Sequence, residues 1–159
     1  MSGRLRRSLH SVFPSPRAAM DDALKRVLVV ELRRRGFTGS LPHFRRRDAG
    51  RISLLSVQHF SSGGSFVVEV AACPPAGHVT SWGADVAPSR VTARDINDPR
   101  PRLGNPNFPG FGDHWFVYGP RNYETDGQTV LPDSHYVAVA EDVVVLLDQA
   151  EAFWSTTPV

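Results

Sequence analysis

Four polar side chains, Arg45, Arg47, Gln58 and Glu69, come from three segments that strand alternation lays side by side on one sheet face. Two guanidiniums beside a carboxylate and an amide suit an anionic or amphoteric ligand. The same set suits an outer sheet face laced with salt bridges, which is the preferred reading. A second set, Asp113, His114 and Trp115, closes a stretch from Asp95 to Gly112 that is dense in Pro, Gly and Asn. Long irregular loops in compact domains often carry function. As a lid, this one offers Phe108, Phe111 and Trp115 with a charged pair; as a plug, it folds those aromatics over a sheet edge, and the plug is preferred. Glu69 and His59 fail as an acid/base pair, because strand parity puts them on opposite faces. The six histidines lack ligand spacing, and no metal or cofactor is expected.

These groups are positioned by GFTGSLPHFRRRDAGRISLLSVQHFSSGGSFVVEVAA, residues 36–72, which reads as three strands joined by two tight turns. With Ser62-Gly63 as a two-residue loop, His59 faces Phe66 and Val57 faces Val68. One face then collects Leu55, Val57, His59, Phe66, Val68 and Val70, a core face interrupted only by His59, read as a buried hydrogen-bonded histidine. The other, mixed face holds Leu54, Ser56, Gln58, Phe60, Ser65, Val67, Glu69 and Ala71. At Asp48-Ala49-Gly50 a two-residue loop sets Phe44 opposite Leu55 and a three-residue loop sets it opposite Leu54; the first is preferred. Arg46 then shares the side of Phe44 and needs water or a carboxylate.

Before the sheet, Asp21 or Asp22 caps a helix running to about Arg35, with Leu24, Val27, Leu28 and Leu32 as its stripe and Gly36 as its stop. After it, short strands are expected near 79–93 and 114–118, extending the same sheet. A closing helix runs from about Tyr136 to Trp154, with Val143, Leu146, Leu147, Ala150 and Trp154 on one stripe; residues 136–140 compete as a strand. The fold class is α+β, an antiparallel sheet with the N-terminal and C-terminal helices packed on one face.

The chain has 159 residues, 41% hydrophobic and 21% charged, enough for one domain with a real core. Its pI of about 9.1 suggests nucleic acid, but four of the 18 basic residues precede Met20 and all 16 acidic ones follow it. From Met20 onward acids exceed bases by two, so nucleic-acid binding is disfavoured. Residues 1–19 read as a basic leader, transit-like in composition, with an unstructured tail or a true start at Met20 preferred. The domain is expected over residues 20–155, with 156–159 frayed. Cys73 alone forms no internal disulfide and fits a reducing compartment, and the absence of a long apolar run excludes a membrane span. A cytoplasmic location follows as the expectation.

GFTGSLPHFRRR, followed by LLSVQHFSSGGSFVVEVA, PRPRLG and DHWF, resembles a bacterial family described as domain of unknown function 4304. The similarity spans most of residues 22–155. The resemblance implies a compact intracellular domain and brings no site residues with it. No GxSxG, HExxH, paired-Cys or phosphate-loop pattern occurs. The expectation is a non-catalytic protein-binding module of adaptor or immunity type. A small-ligand binder or enzyme with a polar site on the sheet face is the alternative, and nucleic-acid binding through the Arg clusters stands third.

Overall fold

A computed structural model describes residues 13–121 and 129–159. The chain opens with α1 (Pro16–Leu24), a π-helical turn (Lys25–Val29) and α2 (Val30–Arg34), which run on as one rod. The cap is Ser15, whose side chain accepts the Ala18 N–H at 3.1 Å, with Pro16 in the first turn. The cap therefore lies six residues ahead of Asp21 and seven ahead of Asp22, the two expected caps. Asp21 was available for another task, and Ser15-Pro16 is the better start signal. Residues 1–12 of the expected leader lie outside the described residues, whereas Ala19 and Met20 are fully buried.

Met20, Leu24, Leu28 and Leu32 are buried at strict spacings of four. In a regular α-helix that spacing drifts by about 40° per step. The wider π turn takes up one extra residue and keeps the stripe straight. The rod ends in a Schellman motif at Gly36 (φ 90°), where the Phe37 N–H is donated to the Leu32 carbonyl at 2.9 Å.

Five antiparallel strands follow, β1 (Thr38–Ser40), β2 (His43–Arg47), β3 (Ile52–His59), β4 (Ser65–Cys73) and, after two strands outside this sheet, β7 (Phe116–Val117), in the order β1-β2-β3-β4-β7. Phe44 pairs with Leu55, His59 with Phe66 and Val57 with Val68, so both turns have the preferred register. The stretch expected as the first strand is two strands, reversed at Leu41-Pro42, a cis peptide. The segment near residues 79–93 does not extend the main sheet. β5 (His78–Val79) and β6 (Asp85–Val86) pair only with each other, and Ala93–Asp95 forms a short 3-10 turn.

The first sheet face carries the main core. Leu55, Val57, Phe66, Val68 and Val70 pack under the N-terminal rod and under α3 (Asp133–Val145) and α4 (Leu147–Thr156), as expected. Residues 136–140 are helical, with Tyr136, Val139 and Ala140 buried. The Trp154 indole N–H reaches the Ala71 carbonyl at 3.0 Å and ties α4 to the sheet. Arg46 finds its carboxylate in Glu151 (2.9 and 2.7 Å), its guanidinium lying over the rings of Phe37 and Trp154. That pairing holds the Glu151 carboxyl below the usual range.

The mixed face is largely covered. Ile52, Leu54, Ala71 and Cys73 form a second core with Val91, Ala93 and Ile96. Further along, the Val70 N–H is donated to Pro101 O and the Leu103 N–H to Val68 O. Residues 101–103 thus border β4 beyond β7.

Candidate functional site

The covering segment decides where the expected site residues go. Arg45 does not join a polar patch: its Nε and Nη2 both donate to the Val91 carbonyl, at 3.1 and 2.9 Å, and hold the second core shut. Arg47 stands exposed at the end of β2. Glu69 is buried under the loop, its side chain 6% exposed, in an ion pair with Arg100. Arg100 also donates to the carbonyls of Arg94 (2.9 Å) and Ile96 (3.1 Å). Gln58 lies apart, in a hollow of about 350 Å³ shared with Arg17, Asp21, His59 and Arg94. The four side chains expected together are therefore dispersed.

A polar row does cross this face, because His43 pairs with Ser56, Ser56 with Glu69, and Glu69 bridges to Arg102. His43 Nδ1 and Ser56 Oγ lie 2.7 Å apart. Burial, then the charge of Arg94, lowers the His43 pKa. Ser56 is only 1% exposed, so this serine–histidine contact has no room for a substrate. Burial also pushes the Cys73 thiol up to about 11, far from a reactive thiolate.

The loop itself forms the accessible site. A cleft of about 610 Å³ opens between residues 97–102 and 109–113, with Glu69 at its floor. Buried Asn105 knots the loop, accepting the Asn107 N–H at 2.7 Å and donating to the Gly110 carbonyl at 2.9 Å. Gly112 packs so tightly on Asn105 that a Cβ there would lie 2.2 Å from its Oδ1. Asp113 is the hub on the outer wall. It accepts from Arg102 Nη1 (2.6 Å), from its neighbour's His114 N–H (2.8 Å) and from Trp115 Nε1 (3.0 Å). The Arg102 contact, the largest cause, holds the Asp113 carboxyl below the usual range. His114 turns inward, edge-on to Phe116 at 4.7 Å.

Trp115 begins a strip of alternating charge and ring. Arg102 lies over Trp115 (5.2 Å), Trp115 meets Phe60 edge-on (5.4 Å), and Arg121 lies over Phe60 (5.0 Å). The loop's other aromatics divide. Phe108 plugs the core against Phe153, while Phe111 is 100% exposed at the cleft rim. Arg100, Arg102 and Phe60 escaped sequence reading. Alternation in Pro-Arg-Pro-Arg was the usable signal, since it sends both arginines to one side of an extended segment.

Asp21 escaped it too. Its Oδ1 lies 2.8 Å from His59 Nε2, and the Tyr118 hydroxyl is 3.4 Å from His59 Nδ1. His135 in turn bonds the Tyr118 carbonyl at 2.7 Å. Both nitrogens of the buried His59 thus face partners within the fold. Among the described residues no three His, Cys, Asp or Glu side chains converge as a metal would require, and no helix is long and apolar enough to cross a membrane. The arrangement sets paired charges and the half-buried rings of Phe60 and Trp115 near one fully exposed ring, Phe111.

A family model described as Domain of unknown function (DUF4304) matches residues 28–125, well over half of the chain. It takes in the sheet, the second core and the cleft loop, and stops short of α3 and α4. Searches of curated proteins and of solved structures gave no match. The chain belongs to the DUF4304 family.

Proposed function

We propose that this protein is a non-catalytic binding module that holds another protein against the cleft loop and the Arg102–Trp115–Phe60–Arg121 strip. The observation that carries the reading is the full exposure of Phe111 beside that strip. Exposed aromatic and arginine side chains are the residue types that dominate protein interfaces, and Lys and Glu are depleted there. The cleft's ionic groups suit the same role. Glu69 is committed to Arg100 and Asp113 to Arg102, so neither is poised as an acid or a base. The buried, unreactive Cys73 fits a cytoplasmic setting.

The cleft volume favours one competing reading, a small ligand seated between Arg100, Arg102 and Glu69. Native mass spectrometry of the full chain purified gently from its own cells separates the two. A stoichiometric protein partner, lost in Phe111→Ser and in Arg102→Glu, is the expected result. A retained small molecule, or a bare chain, counts against the module.

A further inference from the structure

The β5–β6 hairpin forms neither wall of the cleft, yet it is tied to one of them. Asn97, on the 97–102 wall, donates its side-chain amide to Ser81 Oγ at 3.5 Å. Ser81 precedes Trp82, which is 75% exposed between the two strands of the hairpin. Thr80 braces that turn from inside. It is buried, its N–H is donated to the Ala84 carbonyl at 2.9 Å, and its Oγ1 accepts the Ala84 N–H at 2.9 Å. Phe111, fully exposed, belongs to the opposite wall. An exposed ring thus stands by each side of one cleft, and rings so placed are the usual anchors of a protein interface.

Charge names what enters between them. Three carboxylates and two guanidiniums line the cleft. Arg100 is committed to Glu69 and to the carbonyls of Arg94 and Ile96, and Arg102 to Asp113. Asp98 remains: it is exposed, and among the described residues it makes no hydrogen bond or ion pair. Pro99, Pro101 and Pro109 deny the walls backbone N–H donors, which an anion would need. One uncommitted carboxylate between two exposed rings favours a cation over an anion.

We infer that the partner inserts a basic side chain, lysine or arginine, into the cleft opposite Asp98, with its neighbouring residues packed on Phe111 and Trp82. This rests on the binding-module reading and names the chemistry its partner presents. Arg102→Glu, used above, unties Asp113 from the wall and so reads the wall's shape, not this charge.

The probe is a displayed library of short linear peptides selected on the full chain. Selected peptides are expected to share a lysine or arginine, to bind more weakly as salt rises, and to lose about tenfold or more in affinity for Asp98→Asn. Asp98→Glu, which keeps the charge, should retain most of the binding, while Trp82→Ser and Phe111→Ser should each weaken it. All three side chains are exposed, so circular dichroism should show every variant folded as the wild type. Peptides without a common basic residue, or basic ones that bind Asp98→Asn as tightly as wild type, overturn the inference; the module stands if Phe111→Ser still releases them. Basic peptides that weaken with salt yet ignore both ring variants also overturn it, because the attraction is then diffuse. A library with no binder overturns it too, while the co-purification above decides on the module.

Discussion

Replacing Glu69 with Gln decides whether that carboxylate serves a ligand or the fold. It preserves volume and removes one charge from a side chain that is 6% exposed. Breaking a fully buried ion pair costs about 3–5 kcal/mol. Two features lower that figure here: the Arg100 side chain is 31% exposed, so water can reach it, and its guanidinium keeps the carbonyls of Arg94 and Ile96. What is lost is the charge on one strong hydrogen bond, worth about 1–3 kcal/mol. At roughly 2–4 °C per kcal/mol for a domain of this size, Tm should fall by about 2–12 °C. Arg100→Met should cost more, because it strands the buried carboxylate and releases the two loop carbonyls together. Thermal and denaturant unfolding followed by circular dichroism measure both. A Glu69→Gln chain as stable as wild type, with Arg100→Met no worse, would refute the reasoning and return Glu69 to a ligand.

Acidification should destabilise the fold in two stages. His43 has a folded pKa below its ordinary value, so the unfolded chain takes the proton first and stability declines as pH drops below about 6.5. Glu151, Asp113, Asp48 and Glu31 are shifted down, Glu31 to about 2, so their contribution is present above the carboxylate range and is lost from about pH 4 downward. A Tm that stays flat from about pH 7 to 3 contradicts both stages. Asp21→Ala should cost about 1–3 kcal/mol by leaving His59 Nε2 without its partner, and Asp21→Asn less; equal losses in the two would show that the hydrogen bond contributes little. Cys73 should resist a thiol reagent in the native state and react fully in denaturant, and fast native labelling would disprove its burial.

The sheet was legible because its turns and alternation are local. Ser62-Gly63 set the β3–β4 register, and apolar parity then identified Leu55, Val57, Val68 and Val70 as core. Arg46 announced itself the same way, as a charge on a core side in need of water or a carboxylate, and Glu151 supplies the carboxylate. The candidate site was less legible because it depends on where a long loop returns. Nothing local to Glu69 says that Arg100 will cover it, and Arg45 gives no sign that its acceptor is a backbone carbonyl at residue 91. The same return converts the expected wet face into a second core. Asp21 misled because a carboxylate near a helix start reads as a cap, a task Ser15 performs instead.

The most direct test of the binding surface places a photo-crosslinking residue at Phe111 in one chain and at Val30, an exposed site on the N-terminal rod, in another. Irradiated in the protein's own cells, the Phe111 chain should yield one discrete protein adduct and the Val30 chain none. The same adducts from both positions, or none from Phe111, would contradict the account.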